Sequence, residues 1–194
     1  EMCIRDSSIG VEFLAFDWSV ALKHTQTEAE NDNADSAFVS NSVAQLQPFW
    51  SGANAFADSL RLRGATIQYT SVYFNRFLGD WDLSGELSYI DSDSIALRPS
   101  FNGFLNLSYL YGAHTFYALY SFAEADPFYL SEEQPGFPIN ANTAELAIFV
   151  EEVASTLAHR QQSFSVGWRW DLRENLAFKV QVERTDIKAR GTGL

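Results

Sequence analysis

Cysteine, long apolar runs and positive charge are all scarce in this chain of 194 residues. The only cysteine, Cys3, excludes a disulfide framework and a cysteine-based metal site. No stretch approaches the ~18 to 20 uninterrupted apolar residues that a spanning helix needs, which excludes a helical membrane protein. The formal net charge of −12 argues against nucleic-acid binding, because phosphate contacts require a basic surface.

Motifs that carry enzyme chemistry are also missing. The three histidines, His24, His114 and His159, are scattered along the chain. There is no glycine-rich phosphate loop, no histidine pair with metal-ligand spacing and no nucleophile elbow. We therefore expect no catalysis, no cofactor and no bound metal.

The two ends differ in character from the rest of the chain. The opening EMCIRDSS has no apolar segment of the kind found in signal peptides. We interpret residues 1–7 as a non-native leader and residues 8–194 as an internal fragment of a larger β-protein. The terminal GTGL ends without an aromatic residue.

The feature present in abundance is strict alternation of apolar and polar residues, beginning near Ser59. Side chains of a strand point to opposite faces with period 2, so alternation predicts strands with one apolar and one polar face. The clearest case is LAFKVQVE near the end of the chain. Its apolar side is Leu176, Phe178, Val180 and Val182, and its polar side is Ala177, Lys179, Gln181 and Glu183.

The segments between these strands alternate in length. Long polar loops are predicted over 27–58 and 124–158, with a medium loop over 91–100, and short turns near Gly79, Gly112 and Glu174. Strands of about ten residues with alternating loop lengths are typical of barrels that cross an outer membrane. We predict an all-β fold, a partial antiparallel transmembrane β-barrel of about seven to eight strands, with one short helix in a long loop.

Aromatic residues make up 15% of the chain and gather beside the predicted short turns. Amphipathic rings favour the headgroup level of a bilayer. We expect four of them to lie at the membrane interface. The alternative is that they form the core of a soluble sheet. The four are Trp81, Tyr111, Trp168 and Trp170.

Two segments resemble the Gram-negative outer-membrane porins: SFSVGWRWDLRENLAFKVQVERTDI and GDWDLSGELSYIDS. The resemblance implies a pore of roughly sixteen strands, often a homotrimer, through which small hydrophilic solutes or ions diffuse passively. It also implies an outer-membrane location, with membrane lipid and lipopolysaccharide as neighbours. Two alternatives stay open: a substrate-specific outer-membrane channel, and a soluble or surface β-sandwich that binds ligands.

Charged residues on the inward face of such a pore would set its selectivity. The alternative is that neighbouring charges such as Arg169 and Asp171, or Lys179 and Glu183, only neutralise one another along the wall. We expect Arg61 and Arg63 to be less fully paired than the others. The candidates are Arg61, Arg63, Glu86, Arg169, Asp171, Lys179 and Glu183.

The segment NTAELAIFVEEVASTLAHR predicts a helix within the second long loop. Asn142 and Glu145 suit an N-cap and its capping-box partner. Leu146, Phe149, Val150, Val153 and Leu157 form an apolar stripe with helical spacing. The helix could enter the pore and place Glu151 and Glu152 at its constriction, or pack on the rim as a lid.

Overall fold

The computed structural model describes residues 4–157 and 159–189, and its main feature is one antiparallel sheet of eight strands. Each strand pairs with its neighbours in sequence, so the order in the sheet is β1 to β8. The predicted all-β antiparallel fold with seven to eight strands is confirmed. The sheet is not closed: within the described residues, β1 and β8 each pair with one strand only. The strands are β1 (Ile4–Leu14), β2 (Trp18–Ala29), β3 (Thr66–Leu78), β4 (Trp81–Ser92), β5 (Ser100–Tyr111), β6 (His114–Ala125), β7 (His159–Arg173) and β8 (Leu176–Ala189).

Short and long connections lie at opposite edges of the sheet, as predicted. Successive antiparallel strands bring every second connection to the same edge. Gly79 and Gly112 have φ of 63° and 59° in their two-residue turns, a conformation that glycine adopts without steric cost. The short-turn edge carries 15–17, 79–80, 112–113 and 174–175, and the long-connection edge carries 30–65, 93–99 and 126–158.

The first hairpin is longer than the sequence suggested. Residues 4–7, interpreted above as part of a leader, form the start of β1 and lie opposite residues 26–29; residues 1–3 and 190–194 are outside the described ranges. The first long connection spans 30–65 rather than beginning at Thr27. The reason is that backbone pairing continues to the last residue of β2, where Ala29 N–H donates to Ala65 O at 3.0 Å.

The register keeps chemically similar side chains on the same side of the sheet. Residues opposite each other in an antiparallel pair share a face. The polar face consists of the even-numbered residues of β1, β4 and β5 and the odd-numbered residues of the other strands; the remainder form the apolar face. One row of the polar face is Tyr73, Glu86, Phe104, Ser121, Ser163 and Thr185. A neighbouring row of the apolar face is Val20, Phe74, Gly85, Leu105, Tyr120 and Phe164.

The short-turn edge slopes across the sheet, which gives the strand tilt. Trp18, the first residue of β2, shares a cross-strand row with Val182, six residues beyond the start of β8 at Leu176. The edge therefore moves by about one residue per strand, a rise of about 20 Å over a width of about 29 Å. This stagger corresponds to a tilt of about 35°, the lower end of the range in β-barrels.

The buried hydrophobic core lies outside the sheet. Large side chains of the apolar face are instead exposed, for example Leu22 at 51% and Val182 at 68%. A soluble sheet would bury this face against a second layer. The loop core is formed by residues of the two long connections: Val39, Val43, Phe56, Ala57, Leu60, Phe128, Leu130, Phe137, Ala147 and Val150.

Four helices supply this loop core, where the sequence predicted one. They are α1 (Ala34–Ala44), α2 (Ala53–Ser59), α3 (Leu130–Glu133) and α4 (Ala144–Leu157). The helical spacing of α1 was overlooked because two of its four buried positions are serines, Ser36 and Ser40. The Ser40 hydroxyl donates to Ala57 O at 2.7 Å and so ties α1 to α2. None of the helices in the described residues has the length and apolar character needed to cross a membrane.

Replacement of Gly85 tests the close packing of the sheet. A Cβ at this position would lie 2.8 Å from the Phe104 carbonyl oxygen and 2.7 Å from the Phe74 ring. We expect Gly85→Ala to lower the free energy of unfolding by about 1–3 kcal/mol, measured by urea denaturation with tryptophan fluorescence. Gly10→Ala is the control, because its Cβ would meet only Leu22 O at 3.5 Å. Equal denaturation midpoints for the two variants would contradict the packing at Gly85.

Candidate functional site

On the polar face, large polar side chains are joined by hydrogen bonds and small serine side chains lie buried beneath them. Tyr69 donates its hydroxyl proton to the Glu86 carboxylate, and Asn75 Nδ2 donates to Asp82 Oδ1 at 2.6 Å. These bonds hold the polar side chains of β3 and β4 in defined positions. Five serines of this face are buried beneath their larger neighbours: Ser71, Ser84, Ser88, Ser163 and Ser165.

A basic pair lies on this face where β7 and β8 approach the short-turn edge. Arg169 and Lys179 are opposite each other in the register. Arg169 is held by Asp171, with 2.7 Å between Nη2 and Oδ1. Lys179 instead places its ammonium 5.0 Å from the centroid of the Tyr117 ring, within range of a cation–π interaction. One cation is therefore paired with a carboxylate and the other with an aromatic face.

Tyr117 links this basic pair to the acid on β8. Its hydroxyl donates to Gln181 Oε1 at 2.9 Å, and Gln181 Nε2 donates to Glu183 Oε2 at 3.3 Å. The ring lies over Gly167, where a Cβ would come within 2.2 Å of it. Tyr117 was not among the predicted site residues, although its odd position on β6 places it with Thr115 and Leu119 on the polar face.

The basic pair borders an open depression of about 460 Å³ on the polar face. Its walls combine two cations, two aromatic rings, hydroxyls and amides. This mixture suits a hydrated polar or anionic solute that makes several hydrogen bonds. The lining residues are Ser84, Phe104, Asn106, Ser108, Thr115, Tyr117, Leu119, Arg169, Lys179 and Gln181.

The structure places five of the candidate wall residues on one face. Glu86, Arg169, Asp171, Lys179 and Glu183 all belong to the polar face by register. Of the two predicted neighbour pairs, only Arg169 with Asp171 forms an ion pair. Glu183 accepts hydrogen bonds from Gln181 and from the Thr185 hydroxyl instead. The role of these residues in permeation stays a prediction.

Arg61 and Arg63 lie away from the strand wall, in the connection after α2. The expectation that they are poorly paired is wrong for Arg61. Its guanidinium is 3.2 Å from Asp32 Oδ2 and 3.7 Å from Asp58 Oδ1, and it also donates to Asn41. Asp32 comes 29 residues earlier in the chain, so only the folding of this connection brings the pair together.

Asp32 fastens the end of this connection. One carboxylate oxygen accepts both the Leu62 and the Arg63 N–H at 2.8 Å. Burial alone would raise the pKa of Asp32. The hydrogen bonds from Arg63, Leu62 and Arg61, together with the Arg61 charge, outweigh burial and hold this pKa below its ordinary value of 3.8. The charged form of Asp32 is therefore the one that stabilises the loop.

Glu151 and Glu152 lie on α4, whose predicted existence is confirmed. Its main packing partners are α1 and α3, and Phe149 meets Phe38 edge-on at 5.4 Å. The apolar stripe is thus used for packing between loops, with Glu151 half-buried and Glu152 exposed. The helix begins at Ala144, so Thr143 rather than Asn142 precedes its first residue. The predicted stripe positions Val153 and Leu157 fall outside the described side chains.

The long connections are also fastened to the medium one. Arg98 forms an ion pair with Glu133 at 2.7 Å and lies 6.0 Å from the Phe128 ring centroid. Ile95 N–H donates to Ser59 O at 3.1 Å. The three connections at this edge therefore form one packed unit.

The predicted interface aromatics all lie on the apolar face beside short turns. Trp81 begins β4 and Tyr111 ends β5, with 45% and 67% of their surfaces exposed. Trp168 and Trp170 stand near the end of β7, and the His114 ring lies between 5.7 and 5.8 Å from both. Trp18, which was not among the predicted interface residues, occupies the equivalent position at the start of β2.

No protein-family model and no curated protein matches this chain. Within the described residues, no group of three or more histidine, cysteine, aspartate or glutamate side chains is placed to hold a metal ion.

Replacement of Asp32 tests how the loop is fastened. We expect Asp32→Asn to lower the hydrogen-exchange protection of the Leu62 and Arg63 amides about tenfold to a hundredfold at neutral pH, because a charged acceptor is lost. The lowered pKa sets the pH dependence. The contribution of Asp32 is complete above pH 3.8 and is lost as the pH falls below that value, so wild type and variant should converge there.

The control for this experiment is Asp58→Asn, which removes a second partner of Arg61 that is 78% exposed. We expect it to change the same protection factors little, since exposed ion pairs contribute weakly. Equal effects of the two substitutions would show that Asp32 has no special role in the loop.

Proposed function

We propose that this chain forms part of the wall of a water-filled pore in the bacterial outer membrane. The pore lets small hydrophilic solutes or ions diffuse without energy input. The observation that supports this most directly is the position of the hydrophobic core. The sheet exposes its large apolar side chains on one face and keeps polar side chains on the other, while the buried core lies in the loops.

The exposed apolar face is too large to be left in water. About half of each large side chain is exposed, which amounts to an area on the order of 1,000 Å², whereas the largest patch on a typical monomer is about 300–600 Å². Covering it would stabilise the protein by roughly 25 kcal/mol. Lipid hydrocarbon would cover the apolar side chains of every strand.

The dimensions of the apolar face suit a bilayer. On β4 the apolar residues run from Trp81 to Tyr89, eight residue steps or about 26 Å along the strand. At a tilt of about 35° this corresponds to a band about 22 Å tall, close to the ≈ 25 Å band of outer-membrane barrels. Beyond the band the outward positions become polar, with Asp91 on β4 and Glu124 on β6.

The edges of β1 and β8 that are unpaired within the described residues require further pairing if the sheet spans a membrane. Backbone N–H and C=O groups exposed to hydrocarbon cost several kcal/mol each, so a spanning sheet must close on itself. We propose that further strands pair with β1 and β8 to complete the barrel. The resemblance to porins, with their larger and often trimeric barrels, supports this completion.

The packed loops and the basic pair divide the pore into two regions. Connections 30–65 and 126–158 carry acids and cover one end, and we place them on the outside of the cell as a structured entrance. Arg169 and Lys179 lie toward the other end, on the wall. A passing anion meets these cations only after it has entered, so we propose that they bias the choice of solute.

Labelling of adjacent residues on β8 tests the membrane placement. We expect a nitroxide at Val180 to collide with lipid-dissolved oxygen, and one at Gln181 to collide with a water-soluble nickel chelate. Alternation should continue at Val182 and Glu183, because it follows the strand period. A label at Val180 that is shielded from both reagents by packed protein would indicate a β-sandwich and overturn the proposal.

Substitution of Lys179 tests charge selectivity. We expect Lys179→Gln to shift the reversal potential of the reconstituted protein toward cation preference under a salt gradient, because one positive charge leaves the wall. Lys188→Gln is the matched control on the same strand, since Lys188 lies on the apolar face. The same shift in both variants would mean that the selectivity does not come from the polar face.

A substrate-specific channel is the second candidate, and the depression beside Tyr117 favours it. An aromatic ring, two cations and several hydroxyls around one space of about 460 Å³ provide directional contacts that a purely general pore does not need. Flux that saturates with the concentration of one solute would support the specific channel. Flux that rises in proportion to concentration for all small solutes would support the general pore.

A further inference from the structure

The apolar face becomes basic at the long-connection edge of β7 and β8. On these strands the apolar run stops at Phe164 and Val182, and the next outward positions contain three cations, Arg160, Arg184 and Lys188. We refer to these three as the basic cluster. Arg160 and Lys188 are directly opposite each other in the register. The cluster is unusual in a chain that has only 13 Lys and Arg residues and a net charge of −12.

The strands β2, β3 and β4 lack such a cluster at this edge. Their outward positions nearest the long connections include Gln26, Gln68 and Asp91, which are opposite one another in the register. Since this edge is neutral or acidic on β2, β3 and β4, a general need for polar residues beyond the apolar band does not explain the cations on β7 and β8.

The basic cluster is only partly neutralised by the protein. Arg160 Nε is 3.8 Å from the Glu124 carboxylate, a long ion pair that leaves 44% of the arginine side chain exposed. Arg184 and Lys188 have no side-chain partner in the described part of the chain. Charge is thus available for an external anion.

A small cleft lies beside Arg160 and Lys188. It has a volume of about 120 Å³ and is lined by Arg160, Gln162, Asp186 and Lys188. Arginine and lysine donate strong hydrogen bonds to phosphate oxygens. The Gln162 amide and the Asp186 carboxylate accept hydrogen bonds from neighbouring hydroxyl or amine groups. This set of groups matches a phosphate ester whose headgroup also carries donors.

The height of the cluster agrees with the headgroup level. From Trp168 to Arg160 there are eight residue steps, which at the observed tilt place the two about 22 Å apart along the membrane normal. If the tryptophans mark one interface, the basic cluster marks the other. Long basic side chains can rest their stems on the apolar band and extend their charges to that level.

From these observations we infer that Arg160, Arg184 and Lys188 form a binding site for the phosphate of a membrane-lipid headgroup. This inference rests on the proposed function, because it requires the apolar face to be in contact with lipid. It adds a specific lipid partner at one sector of the barrel, namely a lipid whose phosphate headgroup carries a net negative charge.

Electron spin resonance of labelled lipids tests the site in vesicles that contain the whole chain. The probes are spin-labelled phosphatidic acid and spin-labelled phosphatidylcholine, and the measured quantity is the fraction of each lipid immobilised by the protein. We expect phosphatidic acid to be preferred. Arg160→Gln combined with Lys188→Gln should weaken that preference by about fivefold for each cation removed.

The control is Arg169→Gln combined with Lys179→Gln, which removes the same charge from the polar face. It should leave the preference unchanged. Equal loss in both double variants would overturn the site, because net charge alone would then explain the preference. An unchanged preference in the Arg160 and Lys188 variant would also overturn it. Loss of the preference in excess inorganic phosphate would show that the site takes a free phosphate ion as readily as a headgroup, which would overturn a lipid-specific site.

The same experiment separates this inference from the proposed function. Immobilised phosphatidylcholine without any preference for phosphatidic acid would overturn the lipid site alone, since lipid would still contact the sheet. No immobilised component for either lipid would instead overturn the membrane placement, and the site would fall with it. Immobilised phosphatidylcholine also serves to check that each variant has inserted.

Discussion

The property on which the whole structure depends is an unbroken antiparallel register across eight strands. With period 2 along each strand, a slip of one residue at any pairing would move every following polar side chain to the apolar side. The pairing continues without a shift from Ile4 to Asp171, where the single irregularity lies beside a short turn. The two faces of the sheet can differ in chemistry only because this register is kept.

The hydrophobic core of the protein lies in the loops and not in the sheet. Connections 30–65 and 126–158 bury their own core and form a compact unit, so they do not depend on the sheet for a hydrophobic partner. Ion pairs and hydrogen bonds such as that between Arg98 and Glu133 join them to the medium connection. The loops therefore fold without using the apolar face of the sheet.

The strands of the sheet could be predicted from the sequence, whereas the helices and ion pairs of the loops mostly could not. Strand pattern, turn positions and polar-face residues such as Lys179 and Glu86 follow from local alternation, which sequence displays directly. The helices of the first connection use serines at buried positions, so their stripe is not apolar. The less exposed of the two carboxylates that pair with Arg61 belongs to Asp32, whose distance in sequence hides it from any local pattern. Tyr117 became important only when Gly167 was seen beneath its ring.

By itself, the sequence determined the class of fold, the two faces of the strands and the alternation of short and long connections, because each of these depends on residues close together in the chain. Tertiary structure alone decided where the hydrophobic core lies, which charges are paired, how far the strands tilt and that Arg160 meets Lys188. These properties depend on contacts between distant segments, and their energies are set by register and packing that no local pattern contains.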